Sequence, residues 1–152
     1  MAISSWIDAI AEKWGQVSDG RGGQVRSYAA FKRSEFPEAL SVSPCALTYI
    51  TGVPVVQYSL GGPCVVVYQG VTEFHLTRAV DKSLMPYVMG YYERIIAAAA
   101  SSITLGGLVE HWLLSGDEPI KPGVLTYAGE DPHYGMVVNW RVKELLTLTV
   151  GV

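Results

Sequence analysis

Hydrophobic positions recur with two different periods along this chain, and the switches between them mark its elements. Ile3, Ile7, Ile10 and Trp14 stand at spacings of four, three and four, one apolar stripe on a short helix. Trp6 adjoins that stripe, Ser4 or Ser5 is placed to cap the helix, and Asp8 sits near its positive end. Gly15 ends the pattern. Residues 16–37 follow as a polar, Gly-containing connection, in which Tyr28-Ala-Ala-Phe31 suits a short turn of helix. Strand-like runs come next: Ala46–Ile50, then Val55–Tyr58 beyond a Thr51-Gly-Val-Pro54 break. Gly61-Gly-Pro63 marks a turn, and the apolar Cys64–Tyr68 reads as a central strand. Val71–Thr77 alternates, which puts Val71, Glu73, His75 and Thr77 on one face. Gly70 between these runs is a bulge in one long strand or a turn between two.

The period then lengthens. Asp81 caps a long helix expected from Lys82 to Ser102, with Pro86 where proline is tolerated. Leu84, Val88, Tyr91, Ile95 and Ala99 form its stripe, and Leu105-Gly-Gly107 closes it. Leu108–Leu114 and Gly123–Tyr127 read as strands around a Gly116-Asp-Glu-Pro119 turn. The run from Met136 to Val150 is too long for an unprotected sheet edge. Met136, Val138, Trp140 and Val142 share one face and complete the domain's own sheet; Leu145–Val150 is expected to leave the domain or pair with a neighbour. The order helix, strands, long helix, strands predicts an α+β domain with a mainly antiparallel sheet, one long helix packed on one face and a short N-terminal helix. Residues 1–152 read as a single domain, with 16–37 as a flexible arm or insertion.

Composition turns attention to surfaces. Charged residues make up 16% of the 152, against roughly 25% in an ordinary soluble domain, so surface is expected to be hidden against partners. Nine tyrosines and four tryptophans exceed what one small core readily uses, which points the same way. The net charge of -3 argues against general attraction to nucleic acid. Arg21, Arg26, Lys32 and Arg33, interleaved with Tyr28 and Phe31, are the one pattern compatible with a nucleic-acid arm. The chargeless stretch from Ala39 to Thr72 is cut by Pro44, Gly52, Pro54 and Pro63 into pieces shorter than the ~20 apolar residues of a membrane helix. Ile3-Ser-Ser-Trp6 meets Asp8, Glu12 and Lys13 at once, unlike a secretory signal, so the default compartment is cytoplasm.

Candidate chemistry is sparse. His75, His111 and His133 each stand alone, and Glu110-His111 points to opposite faces of a strand. The two cysteines, Cys45 and Cys64, have no close-spaced partner and read as reduced core residues. Asp117-Glu118 and Glu130-Asp131 lack the spacing of a calcium loop and read as a solvated acidic rim. No serine-nucleophile, phosphate-loop or dinucleotide fingerprint occurs. The expectation is no catalytic, cofactor or metal site, and a protein that is not an enzyme.

Several local features point to one family. They are the N-terminal amphipathic helix, Phe36-Pro-Glu-Ala-Leu40, Cys45-Ala-Leu-Thr-Tyr49, Glu73-Phe-His-Leu76 before a helix of about five turns, a Leu-Gly-Gly segment, Leu125-Thr-Tyr-Ala-Gly-Glu130 and Tyr134-Gly135 before a closing strand. In this order they resemble the tail terminator proteins of long-tailed bacteriophages. That resemblance implies a structural virion protein in a hexameric ring, assembled in the host cytoplasm and located in the tail or neck. Such a ring caps the tail tube, stops its polymerisation and offers a docking surface to the head-side connector. Its partners would be other copies, the tail-tube protein and the connector, with DNA passing through the ring and no membrane. The residues expected at intersubunit contacts are Tyr127, Glu130, Asp131, Tyr134, Trp140 and Arg141; those expected to dock tube or connector are Arg21, Arg26, Lys32 and Arg33. The alternatives are a head-closure or tail-tube protein, a small ligand-binding or enzymatic α+β domain, and a single-strand nucleic-acid binder.

Overall fold

The computed structural model describes residues 3–36, 44–59, 61–78, 85–126 and 132–147. The first strand, β1 (Arg26–Ala29), runs parallel to β2 (Cys45–Gln57). β2 and β3 (Cys64–Arg78) form a long antiparallel pair. β4 (His111–Leu114), β5 (Ile120–Leu125) and β6 (His133–Leu146) complete a six-stranded sheet of order β1-β2-β3-β6-β4, with β5 also on β6. β3 and β6 pair antiparallel from Cys64↔Leu146 to Arg78↔His133. Valine-rich alternation suits both strands to a pleated surface with one dry face.

This arrangement moves the last strand. Too long for an unprotected edge, β6 is an interior strand, with β3 on one side and β4 and β5 end to end on the other. Its length is protected by pairing on both flanks. Leu145 and Leu146, expected to leave the domain, pair with Val65 and Cys64; residues 148–150 lie outside the described residues. The expected turn at 116–119 is a wide bulge, because β4 and β5 pair with the same strand. Asn139 spans it: its carbonyl accepts from the Ser115 N–H, and its own N–H donates to the Pro119 carbonyl. Gly70 is neither bulge nor turn. It keeps register with Ile50 and Trp140, and a Cβ there would fall inside the Trp140 ring. The irregularities in β2 lie instead at Ile50/Gly52 and Gly52/Val55.

The helix α1 (Ile3–Trp14) lies on one face of the sheet and buries Trp6, Ile7, Ile10 and Trp14 there. Cys64, Val66, Tyr68, Phe74 and Leu76 of β3 and Met136, Val138, Trp140 and Val142 of β6 meet it. All four tryptophans are 0% exposed. Trp14 packs edge-on against Phe74 and Trp112 at 5.3 and 5.1 Å, and Trp6 against Trp140 at 6.1 Å. Such pairs each add about 0.5–1.5 kcal/mol beyond their buried area. The tryptophans are therefore spent on the core, not on an outer interface. The Trp140 Nε1–H donates to Thr72 Oγ1 at 3.1 Å, and the Thr72 and Thr48 hydroxyls share a hydrogen bond of 2.9 Å.

The expected α+β class with one long helix is overturned. The described residues are mostly sheet, at 46% strand, with a mixed sheet and short helices. The long helix is instead α2 (Met85–Met89) and α3 (Tyr91–Ala100), parted at Gly90; residues 81–84 lie outside the described residues. Gly90 itself keeps right-handed helical dihedrals, φ -61° and ψ -17°, and its N–H donates to the Pro86 carbonyl at 3.2 Å, so the break is a single residue wide. Leu105, Gly106 and Gly107 then take φ values of 50°, 72° and 89°, the left-handed run that turns the chain into β4.

Residues 16–36 pack against the domain. Val17 and Val25 are buried, and the Asp19 carboxylate accepts from the Arg21 and Gly23 N–H groups at 2.7 and 2.9 Å. Those two backbone bonds hold the Asp19 carboxyl below its usual range. The stretch expected as a turn of helix at 28–31 is β1 and its exit, and the only helical turn there is a 3-10 turn at Arg33–Glu35.

Candidate functional site

The second face of the sheet carries a closed polar cluster. The alternation of β3 sends Glu73 and His75 to this face, and β2 places Tyr49 beside them. The 3-10 turn brings Arg33 across. Its Nε and Nη2 donate to the two Glu73 oxygens at 2.7 and 3.3 Å, and Nη2 also reaches the Thr126 carbonyl at 2.8 Å. The Tyr49 hydroxyl donates to Glu73 Oε2 at 2.5 Å, and His75 Nε2 lies 3.1 Å from Oε1. His133 packs edge-on against His75 at 5.6 Å.

Glu73 is 6% exposed. Burial pushes its carboxyl upward, but hydrogen bonds from His75, Arg33 and Tyr49 outweigh that and hold it down at about 2. Burial, then the bond to Glu73, raises the Tyr49 hydroxyl above its ordinary range. Glu144, on the helix side, goes the other way: it is 3% exposed and burial raises its carboxyl. A carboxylate near 2 with both oxygens engaged is a poor general base at neutral pH. The cluster works as a latch. It pins the 31–36 segment to the sheet, where Phe36 packs on Leu47 and, at 6.1 Å, on Tyr49.

Sequence reasoning saw Glu73 and His75 on one face but not this constellation. Among the described residues no group of three or more His, Cys, Asp or Glu could hold a metal ion, and no helix is long and apolar enough to cross a membrane.

Of the residues expected at intersubunit contacts, the three that are described do not gather in one place. Trp140 is fully buried beneath α1 and has no surface to offer a neighbour. Arg141 is exposed on the opposite face, and Tyr134 is half-buried against the core. Tyr127, Glu130 and Asp131 lie outside the described residues. Of the docking residues, Arg21 stacks on Tyr87 at 4.0 Å and Arg33 closes the latch. Arg26 and Lys32 are exposed.

Among the described residues, what remains uncovered is the part of the second face beyond the latch, and two edges. By register, Val65, Val67 and Val137 share the second face with Lys121, Arg141 and Lys143, and Leu145 there is 44% exposed. Beyond Thr48, β2 has no strand partner on its outer side among the described residues, and Val53 and Val56 are exposed there. At the far side, β5 exposes Val124. Pro54 and Pro122 sit within these edges and blunt them against strand addition. Between α1 and β1 runs an open groove of about 530 Å³ lined by Asp8, Glu12, Gln16, Gln24 and Ser27. Comparison with family models and with curated proteins gives no match for this chain.

Proposed function

We propose that this chain is a ring-forming structural protein of a bacteriophage tail, of the tail terminator type, which caps the tube and receives the head-side connector. The observation that carries the proposal is the placement of unused surface. One sheet face is closed by helices, while the other presents half-exposed valines and Leu145 beside Lys121 and Arg141. The open edges stand at opposite ends of the sheet, so a contact from one end of a copy to the other end of the next would join unlike patches, the kind of contact that builds a ring when the rotation between copies closes. The sequence segments that resemble tail terminators, apart from the five-turn helix, support the virion assignment.

A second reading, a tail-tube subunit, is favoured by one finding. Tube subunits carry more strand and less helix than the sequence of this chain suggests, and the strand content of the described residues is 46%. Native mass spectrometry and negative-stain imaging of the pure protein, alone and with tail tubes, separate the two. Single six-fold rings or decorated tube ends support the terminator. Open-ended tubes built from the protein alone support the subunit. A monomer that ignores tube ends at high concentration refutes both.

A further inference from the structure

We infer that copies of this chain meet head to tail, the acidic groove between α1 and β1 of one copy seated against the basic face of β5 and β6 of the next. The inference rests on the ring reading above and names its contact.

The groove side comes first. Asp8 and Glu12 are exposed on α1 and line the groove with Gln16, Gln24 and Ser27. A second depression shares Asp8 and Ala29 and adds Phe31 and the exposed Glu35. β1 pairs only with β2 among the described residues, so its outer backbone edge opens toward the groove. Ser27 Oγ, in the groove wall, is buried with no hydrogen-bond partner. A docked neighbour supplying a polar group would give this hydroxyl the partner it lacks.

The opposing patch has the opposite sign. The register puts Lys121 on β5 and Arg141 and Lys143 on β6 on one face of the sheet. Lys121 and Arg141 are exposed and Lys143 is half-buried. Half-exposed Val65, Val67 and Val137 lie among them. Asp117 and Glu118 belong to the edge bulge, and Arg26 faces away from the groove on β1. The chain therefore carries an acid-rimmed groove at one end of its sheet and a base-rimmed apolar face toward the other. A symmetric pairing of like patches would set carboxylates on carboxylates or ammonium on guanidinium, which is unfavourable. The unlike pairing satisfies both patches, and its head-to-tail geometry is what a ring requires.

Charge exchange tests it. Glu12→Lys and Arg141→Glu each change an exposed residue and leave the core and the Glu73 latch untouched. Each single variant is expected to weaken ring formation at least tenfold, measured by native mass spectrometry and by sedimentation across concentrations. The double variant is expected to return to within about threefold of the parent. Asp8→Lys with Lys121→Glu repeats the exchange at a second pair of positions and guards against a folding defect in the first. Parent rings that are indifferent to every charge change overturn this contact and leave the ring reading standing. Double variants no better than the singles also overturn it. A parent that forms no ring, alone or on tube ends, overturns the ring reading and this contact with it.

Discussion

Replacing Glu73 by glutamine keeps the shape of the side chain and removes its charge. The carboxylate accepts from Arg33, Tyr49 and His75, and its pKa falls from 4.5 to about 2. That displacement corresponds to about 3 kcal/mol of folding free energy at neutral pH. The Arg33 side chain is 40% exposed, so solvent screens part of its share, and the expected loss is about 2–3 kcal/mol. For a domain of this size the melting point should drop by roughly 5–10 °C. The pH dependence follows from the direction of the shift. A depressed carboxyl contributes fully above its unfolded value near 4.5, and the contribution is lost as pH falls toward 2. The gap between parent and Glu73→Gln should therefore shrink by about half or more between pH 7 and pH 3. Urea unfolding followed by tryptophan fluorescence at both pH values measures it. A gap below about 0.5 kcal/mol at pH 7, or one as large at pH 3 as at pH 7, would show that the latch is not held by this charge.

Two further substitutions probe the helix side of the sheet. Gly70→Ala drives a methyl group into the Trp140 ring and should cost about 2–3 kcal/mol, with a shifted tryptophan emission; an unchanged melting curve would contradict the close packing. Thr72→Val strips the buried Trp140 N–H and the Thr48 hydroxyl of their partner and should cost about 1–3 kcal/mol. Adding Thr48→Val should then cost less than it does alone, because the two residues share one bond; strict additivity in chemical denaturation would refute that coupling.

Elements set by local period were legible in the sequence. The stripe of Ile7, Ile10 and Trp14 marks α1 and its buried face, and the alternation of β6 marks its core residues correctly. What pairs with what was not legible, because pairing is decided by distant residues. β6 is central because β3 flanks one side of it and β4 and β5 the other, which no local spacing in β6 reveals. Gly70 exists for Trp140, its cross-strand neighbour far along the chain, so its neighbourhood alone suggested a bulge or a turn. The helix was overlong in expectation because its apolar stripe runs straight through Gly90. The polar cluster was half legible. Glu73 and His75 share a face by simple alternation, but Arg33 and Tyr49 arrive through tertiary folding, from a turn and a strand with no mutual signal. The aromatic surplus misled for a related reason: composition counts tryptophans but does not say that one core can stack all four.

The central place of β6 has a consequence for the order of events in the cell. Of the six strands it is synthesised last, yet among the described residues β4 and β5 have no other strand partner and β3 lacks one whole flank without it. β3 ends at Arg78 and β6 at Leu146, so a finished β3 waits for roughly seventy more residues. At a translation rate of about 5–20 residues per second that is roughly 3–14 seconds. During that interval the nascent chain carries a long valine-bearing edge, the kind of surface that recruits chaperones or pairs with another unfinished copy. The sheet closes in one late step, when β6 is complete.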